Sequence, residues 1–355
     1  MKAGIVGAGI VGRLLAYRLI QKGWNVSLWD SETLESQATC SFVAAGMLSP
    51  LSEIETAEVK VFEMGLRAME LWKSLMSELS PIYYQTRGSL FVAHAQEVEE
   101  LTRTRERFEY KLNAGHLLQQ VSPAQLAELE PGLAHWTQNA LFLPHEGHLD
   151  NREVMKVLAQ SLLAEGVEWH AGINVEHLSA GNLTAEGQTW HYDQVFDCRG
   201  LGAQGDWPSL RGVRGELIHV HAPDVHFTRP IRLVHPRYRI YIVPRPENVY
   251  VIGASQIESQ DLSPISVRTT LELLSAAYSV HPGFAEARIL GTYVQCRPAF
   301  PDNLPRFAPS KGLVRVNGLY RHGYLLAPTV VNNVVAWLEG KTLTDPELLV
   351  KEGCL

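Results

Sequence analysis

Apolar and polar residues change period along this chain, and each change marks an element. Residues 3–6 form an apolar run that ends in Gly-Ala-Gly-Ile-Val-Gly, which predicts a buried strand and a tight turn. Leu14, Leu15, Tyr17, Arg18 and Leu19 continue as a helix that Gly23 stops. Residues 26–29 predict a second strand, closed by Asp30. Residues 56–79 take helical spacing, with Phe62, Leu66, Met69 and Leu75 on one face. Residues 89–93 predict a strand and 97–110 a charged helix. Ser122 caps a short helix with Pro123 at its first position. Residues 151–165 predict a helix stopped by Gly166.

Short strands at 168–170 and 194–197 read as a return to the first sheet, the latter followed by Gly200 and Gly202. Residues 216–254 alternate, as in Leu217-Ile-His-Val-His and Ile240-Tyr-Ile-Val, which predicts an antiparallel meander. Residues 267–280 predict a helix, and 314–338 a strand, a glycine loop and a last helix. No repeat or low-complexity linker separates these parts. The mixture of βα units and a β meander predicts two interleaved domains.

Composition narrows the class. The 355 residues are 46% hydrophobic and 19% charged, with net charge -7, so a basic nucleic-acid face is not expected. No apolar stretch reaches the ~18 residues of a transmembrane helix, and the glycines from Gly7 onward leave no signal peptide. Cys40, Cys198, Cys296 and Cys354 lie far apart without CxxC spacing, which predicts a reducing, cytoplasmic setting and no zinc site. His219 with His221, and His145 with His148, lack a third ligand at a diagnostic spacing, so no metal is expected.

The candidate chemistry starts at Gly7-x-Gly9-x-x-Gly12, between strand and helix, with Asp30 at the end of the next strand, 18 residues after Gly12. Gly7 permits the turn, Gly9 the approach of a pyrophosphate, and Gly12 close helix–strand packing. The helix start at Ile10 and Val11 favours phosphate. Asp30, followed by Ser31, suits a ribose diol. This pattern predicts a dinucleotide site and leaves NAD and FAD open.

Further stretches resemble one family. Residues 40–50, Cys-Ser-Phe-Val-Ala-Ala-Gly-Met-Leu-Ser-Pro, resemble the second flavin-contacting segment of the D-amino-acid oxidase and glycine oxidase family. Similar matches follow in order: residues 195–203, which carry Gly200; Arg214-Gly-Glu-Leu; residues 235–245; residues 295–305; and residues 318–328. The resemblance covers nearly the whole chain, which looks like the proteobacterial-type glycine oxidases of the thiamine pathway. It implies an α/β plus α+β chain. A Rossmann-like FAD-binding domain of the glutathione-reductase type (1–80, 145–215 and 290–355) would interleave with an antiparallel-sheet substrate domain (81–144 and 216–289).

The resemblance also implies roles. Arg297 would pair with a substrate carboxylate through its planar fork, and Tyr241 would help hold it. Arg321 would stand beside flavin and substrate, and Met47 would face the active site. Cys40, Ser41, Ala45, Gly46 and Met47 would contact the flavin. Tyr320, Arg321, His322, Gly323, Tyr324 and Leu325 would wrap its pyrimidine end, and Val175 would offer a backbone contact to adenine. The implied partners are a small amino acid and O₂, and the family implies a homo-oligomer. Two departures stand out: Ala327-Pro-Thr-Val-Val lacks the family's glycine, and Arg239 adds a cation near Tyr241. An FAD dehydrogenase, a flavin-binding subunit and an NAD(P) dehydrogenase are the competing readings.

Overall fold

The computed structural model describes residues 1–79, 81–112, 117–236 and 240–350. Strand Lys2–Val6 pairs in parallel with Asn25–Asp30 on one side and Gln194–Asp197 on the other. Glu168–Ala171 and Leu313–Asn317 extend this sheet in parallel. Arg306–Ser310 closes one edge antiparallel, giving six strands. Such strands are covered on both faces, which is why they read as apolar runs rather than alternations.

One face is covered by helices Ile10–Gln21, Asn151–Ala164, Val59–Glu78 and Gly323–Leu338, which share one core with Ile5, Leu28, Phe196 and Val314. The predicted stripe of the long helix shifts slightly. Val61, Met64, Ala68, Trp72 and Leu75 face inward, whereas Leu66 is exposed, because the buried face tracks the last helix. The other face is covered by a three-stranded meander, Val175–Ser179, Asn182–Ala185 and Gln188–His191, which the sequence reading did not anticipate.

The second sheet has eight strands. Ile231–Leu233, Ile240–Pro244 and Val249–Gly253 form the predicted meander, but Arg211–His221 joins beyond Val249–Gly253 rather than beside Ile231–Leu233. The outer edge is the twelve-residue strand Arg288–Ala299. Residues 290–299, assigned from sequence to the dinucleotide half, therefore belong to this sheet, because they pair along Arg211–His221. Helix Val267–Val280 packs Leu273, Ala276 and Val280 against one face. The other face carries Leu217, Val243 and Val251 against Val43 and Ala45. That contact seats the segment after Cys40 between the two sheets.

Candidate active site

A single cavity of about 1030 Å³ runs from the glycine-rich turn to the inner face of the eight-stranded sheet. At its first end Gly7 has φ +99, and a Cβ there would meet the Cys198 carbonyl. A Cβ on Gly12 would collide with the Gly7 carbonyl, so helix and turn approach only through glycine. Gly7, Gly9, Ile10, Val11, Asp30, Ser31 and Val175 line this end. Gly12 does not; it packs behind the turn. Asp30 accepts the backbone N–H of Ala8 on one oxygen and that of Glu32 at 2.8 Å on the other. Each oxygen keeps acceptor capacity for a ribose hydroxyl.

The second wall is the segment 40–47. Ser41 Oγ accepts the Ile10 N–H at 2.9 Å, which ties this segment to the dinucleotide helix and leaves the hydroxyl proton for a ligand. Its carbonyls are held from the protein side. Tyr324 Oη and Asn151 Nδ2 both donate to Ser41 O at 2.9 Å, and Asn151 Nδ2 also reaches Phe42 O. Arg245 Nη2 donates to Ala45 O at 2.6 Å, and the Leu149 N–H to Gly46 O at 2.9 Å. Arg245 is buried, and that burial lowers its pKa. Neither Asn151 nor Arg245 was singled out from sequence; each lies in an ordinary helix start or strand end. Cys40, Ser41, Ala45, Gly46 and Met47 all line the cavity, as do Gly200 and Tyr320 through Leu325. Burial pushes the Cys40 thiol up to about 12, so it stays protonated.

The far end is built on the sheet. Arg297 reaches from the edge strand across Gly215, where a Cβ would collide with its guanidinium. Its Nη1 donates to Ser255 O at 3.2 Å, and no carboxylate of the described residues pairs with it. Tyr241 leans over Gly253, its register partner, where a Cβ would lie 2.6 Å from the hydroxyl. Two glycines on adjacent strands thus let an arginine and a tyrosine converge. Burial raises the Tyr241 pKa, which keeps the hydroxyl a donor.

Arg321 lies beside them. Its Nε donates to Glu53 Oε2 at 2.6 Å and its Nη2 to Thr56 Oγ1. Glu53 also faces His322 Nδ1 at 3.1 Å and Arg232 Nη2 at 3.4 Å. Burial alone would raise its carboxyl, but Arg321, His322 and Arg232 hold it well below the usual range. His322 is thus a partner of Glu53 as well as a neighbour of Arg321. Glu53 and Arg232 escaped the sequence reading because neither sits in a diagnostic spacing. Arg239 lies outside the described residues, as does Cys354. Residues 327–331, where the family glycine is missing, are buried inside the last helix, and the cavity wall ends at Leu325.

The cavity fits FAD. Its glycine turn and Asp30 suit the ADP half, and the enclosed Thr39 Oγ1 and Ser49 Oγ on its wall have no protein partner. The family model for FAD-dependent oxidoreductases of the DAO type matches residues 2–333. The chain belongs to this family of FAD-dependent oxidoreductases. It is 39% identical to an oxidoreductase of Rhizobium etli named ThiO for thiamine biosynthesis, over 94% of this chain and 95% of that relative. It is 27% identical to a glycine oxidase of Geobacillus kaustophilus, over 91% of this chain and 89% of the relative. The crystal structure of glycine oxidase from that organism superposes with a TM-score of 0.83 at 25% identity, covering 98% of this chain and 97% of the other. Among the described residues no helix is long and apolar enough to cross a membrane.

Proposed function

We propose that the protein oxidises glycine or another small amino acid to its imine, with O₂ reduced to hydrogen peroxide, and that the imine supplies thiazole assembly in thiamine biosynthesis. The observation that carries this reading is the convergence of Arg297 and Tyr241 at one end of the FAD cavity, with Arg297 unpaired by any described carboxylate. A half-buried guanidinium that lines the cavity with no carboxylate beside it among the described residues is open to an anionic group of a ligand. The glycine oxidase and ThiO relatives named above support the same substrate class.

The chain's own residues bind and orient. The Arg297 fork and the Tyr241 hydroxyl hold the carboxylate, which fixes the direction of the Cα–H bond, and positioning is the main contribution of the protein. Met47 and Leu217 keep that end of the cavity apolar and exclude water. Bound FAD supplies a two-electron acceptor for the Cα–H and passes the pair to O₂. The balance is amino acid plus O₂ giving imino acid plus hydrogen peroxide. The described cysteines are free, which fits a cytoplasmic enzyme. Val267, Leu271 and Tyr278 are exposed on one helix at the spacing of a helix–helix seam, which we assign to a second copy of the chain; sedimentation of the holoenzyme reads this.

Anaerobic mixing with glycine and with D-alanine tests the reaction. At least one should bleach the flavin, and hydrogen peroxide should appear when air is admitted. Bleaching without peroxide would support a dehydrogenase with another acceptor. Arg297→Ala should keep FAD and raise KM by about a hundredfold, the effect of losing a bidentate charged contact; an unchanged KM for glycine would remove the carboxylate role.

A further inference from the structure

The proposed reaction leaves one proton without a place. A small amino acid enters with its amine protonated, since aliphatic ammonium groups hold their proton up to about pH 10. The nitrogen lone pair has to be free before a C=N bond can form, so one N–H proton leaves before the Cα–H does. His322 lines the cavity and takes no part in the carboxylate pole. Its ring is enclosed, with 1% of the side chain exposed, and its Nδ1 lies 3.1 Å from Glu53 Oε2 without hydrogen-bond alignment. The charged and titratable groups that bear on it are Glu53 from the short helix Pro50–Glu53, Arg321 and Tyr320 from its own turn, and Arg297 from the edge strand. Behind them Arg232 reaches Glu53 and lies in the field of Glu146, and Glu55 acts on Arg321. Burial, the largest influence, lowers the His322 pKa; Glu53 opposes this, and Arg321 and Arg297 reinforce it. The ring of the free protein is therefore a neutral acceptor near pH 7. A carboxylate seated on Arg297 cancels that cation, which makes the ring more basic once a substrate is bound.

We propose that His322, with Glu53 behind it, accepts the proton of the substrate ammonium group, and does so only after the substrate carboxylate is seated on Arg297. This rests on the oxidase reading above. The balance closes over one turnover. The N–H bond breaks and its proton goes to the imidazole, where Glu53 offsets the new charge. The Cα–H bond then breaks with its electron pair, and the nitrogen lone pair forms the C=N bond of an N-protonated imine. The electron pair passes through bound FAD to O₂. The proton from Cα and the proton held on His322 complete hydrogen peroxide, and the ring returns to its neutral form.

The test follows the limiting rate of anaerobic flavin reduction against pH, with whichever amino acid bleaches the wild-type holoenzyme fastest. The wild-type rate should stay level within about threefold from about pH 7.5 to 9.5, although neutral amine in solution rises about a hundredfold across that range. His322→Asn and His322→Gln, scored on protein with full FAD content, should instead climb about tenfold per pH unit and approach the wild-type rate near pH 10. Calorimetry of the holoenzyme in buffers of different ionisation enthalpy gives a readout independent of turnover. Acetate, a carboxylate without an amine, should draw protons from the buffer as it binds wild-type protein at about pH 6.5, and that uptake should fall at least about twofold in either variant. A variant rate lowered by one factor at every pH, or left unchanged, overturns the inference and leaves the oxidase reading standing; so does equal proton uptake in wild type and variants. A failure of every amino acid to bleach the wild-type flavin removes the oxidase reading itself, and this inference with it. If neither variant folds, the wild-type profile decides: a rate that climbs about tenfold per pH unit means that no internal group accepts the proton.

Discussion

Tyr241 and Gly253 depend on each other. The ring occupies the volume a Cβ at position 253 would take, and its hydroxyl is the polar group that joins Arg297 at the cavity end. Removing the hydroxyl deletes one hydrogen bond to a charged group, worth about 1.5–3 kcal/mol. Tyr241→Phe should therefore raise KM for the amino acid by roughly tenfold to a hundredfold with a smaller change in kcat, in steady-state peroxide assays. A larger loss in kcat than in KM would mean that the hydroxyl acts in the transition state rather than in holding the carboxylate. Arg297 and Tyr241 were legible in the sequence only through the order of matched stretches, since an arginine before proline and a tyrosine on a strand are individually uninformative. Glu53 and Arg232 were not legible at all. Their role comes from a carboxylate and a guanidinium brought together from positions 179 residues apart, which no local spacing records.

The last helix shows how one element resolves a conflict inside itself. Pro328 lies within Gly323–Leu338 and has no N–H, so the carbonyl of Tyr324, four residues earlier, loses its helical partner. Trp72, from the long helix Val59–Glu78, donates its indole Nε1 to that carbonyl at 2.8 Å. The same tryptophan stacks on the Tyr324 ring, with centroids 6.2 Å apart. Tyr324 in turn holds Ser41 O and Asn151 O, so the repair supports the wall of the cavity. Trp72→Phe keeps an aromatic ring but leaves a buried carbonyl unsatisfied, at a cost of about 1–3 kcal/mol. The unfolding free energy from urea titration should fall by that amount, with a lower midpoint, and FAD affinity, read by fluorescence titration of the apoprotein, should weaken with it. Unaltered values of both would mean that another donor reaches Tyr324 O. The helices themselves were readable because their periodicity is strong: Val267–Val280 and Asn151–Ala164 fall where the spacing places them. Pro328 was visible as well, but its consequence depends on a residue in another helix.

Across the whole molecule, local pattern and long-range pairing separate cleanly. The central strands of the first sheet were recoverable because Lys2–Val6, Asn25–Asp30, Gln194–Asp197 and Leu313–Asn317 are short, mostly buried runs beside turns, whereas the edge strand Arg306–Ser310 was not read. The long strand Arg288–Ala299 was hidden because it is a sheet edge, half exposed along most of its length and without a clean alternation. The two halves meet around buried histidines that make stability depend on pH. His148 sits between Met47 and Gln85 in a three-stranded patch, and His219 lies on the strand that crosses to the edge. Burial, aided by Arg245 and Arg87 for the first and by Arg152 and Arg245 for the second, pushes each ring down to about 3. An unfolded histidine titrates near 6.5, so between pH 6.5 and 3 the unfolded chain binds more protons than the fold does. Stability is then fully present above about pH 6.5 and declines as pH falls below it, by on the order of 1 kcal/mol per pH unit for each histidine. Urea unfolding of the holoenzyme from pH 8 to 5 should show this slope. Both ring nitrogens of His148 lack a hydrogen-bond partner among the described residues, so the imidazole adds no bond that its removal would break. His148→Leu should therefore keep or raise stability at pH 8 and remove its share of the acid slope. An undiminished slope in that variant would place the pH dependence elsewhere, and a loss of stability at pH 8 would show that the ring is bonded after all.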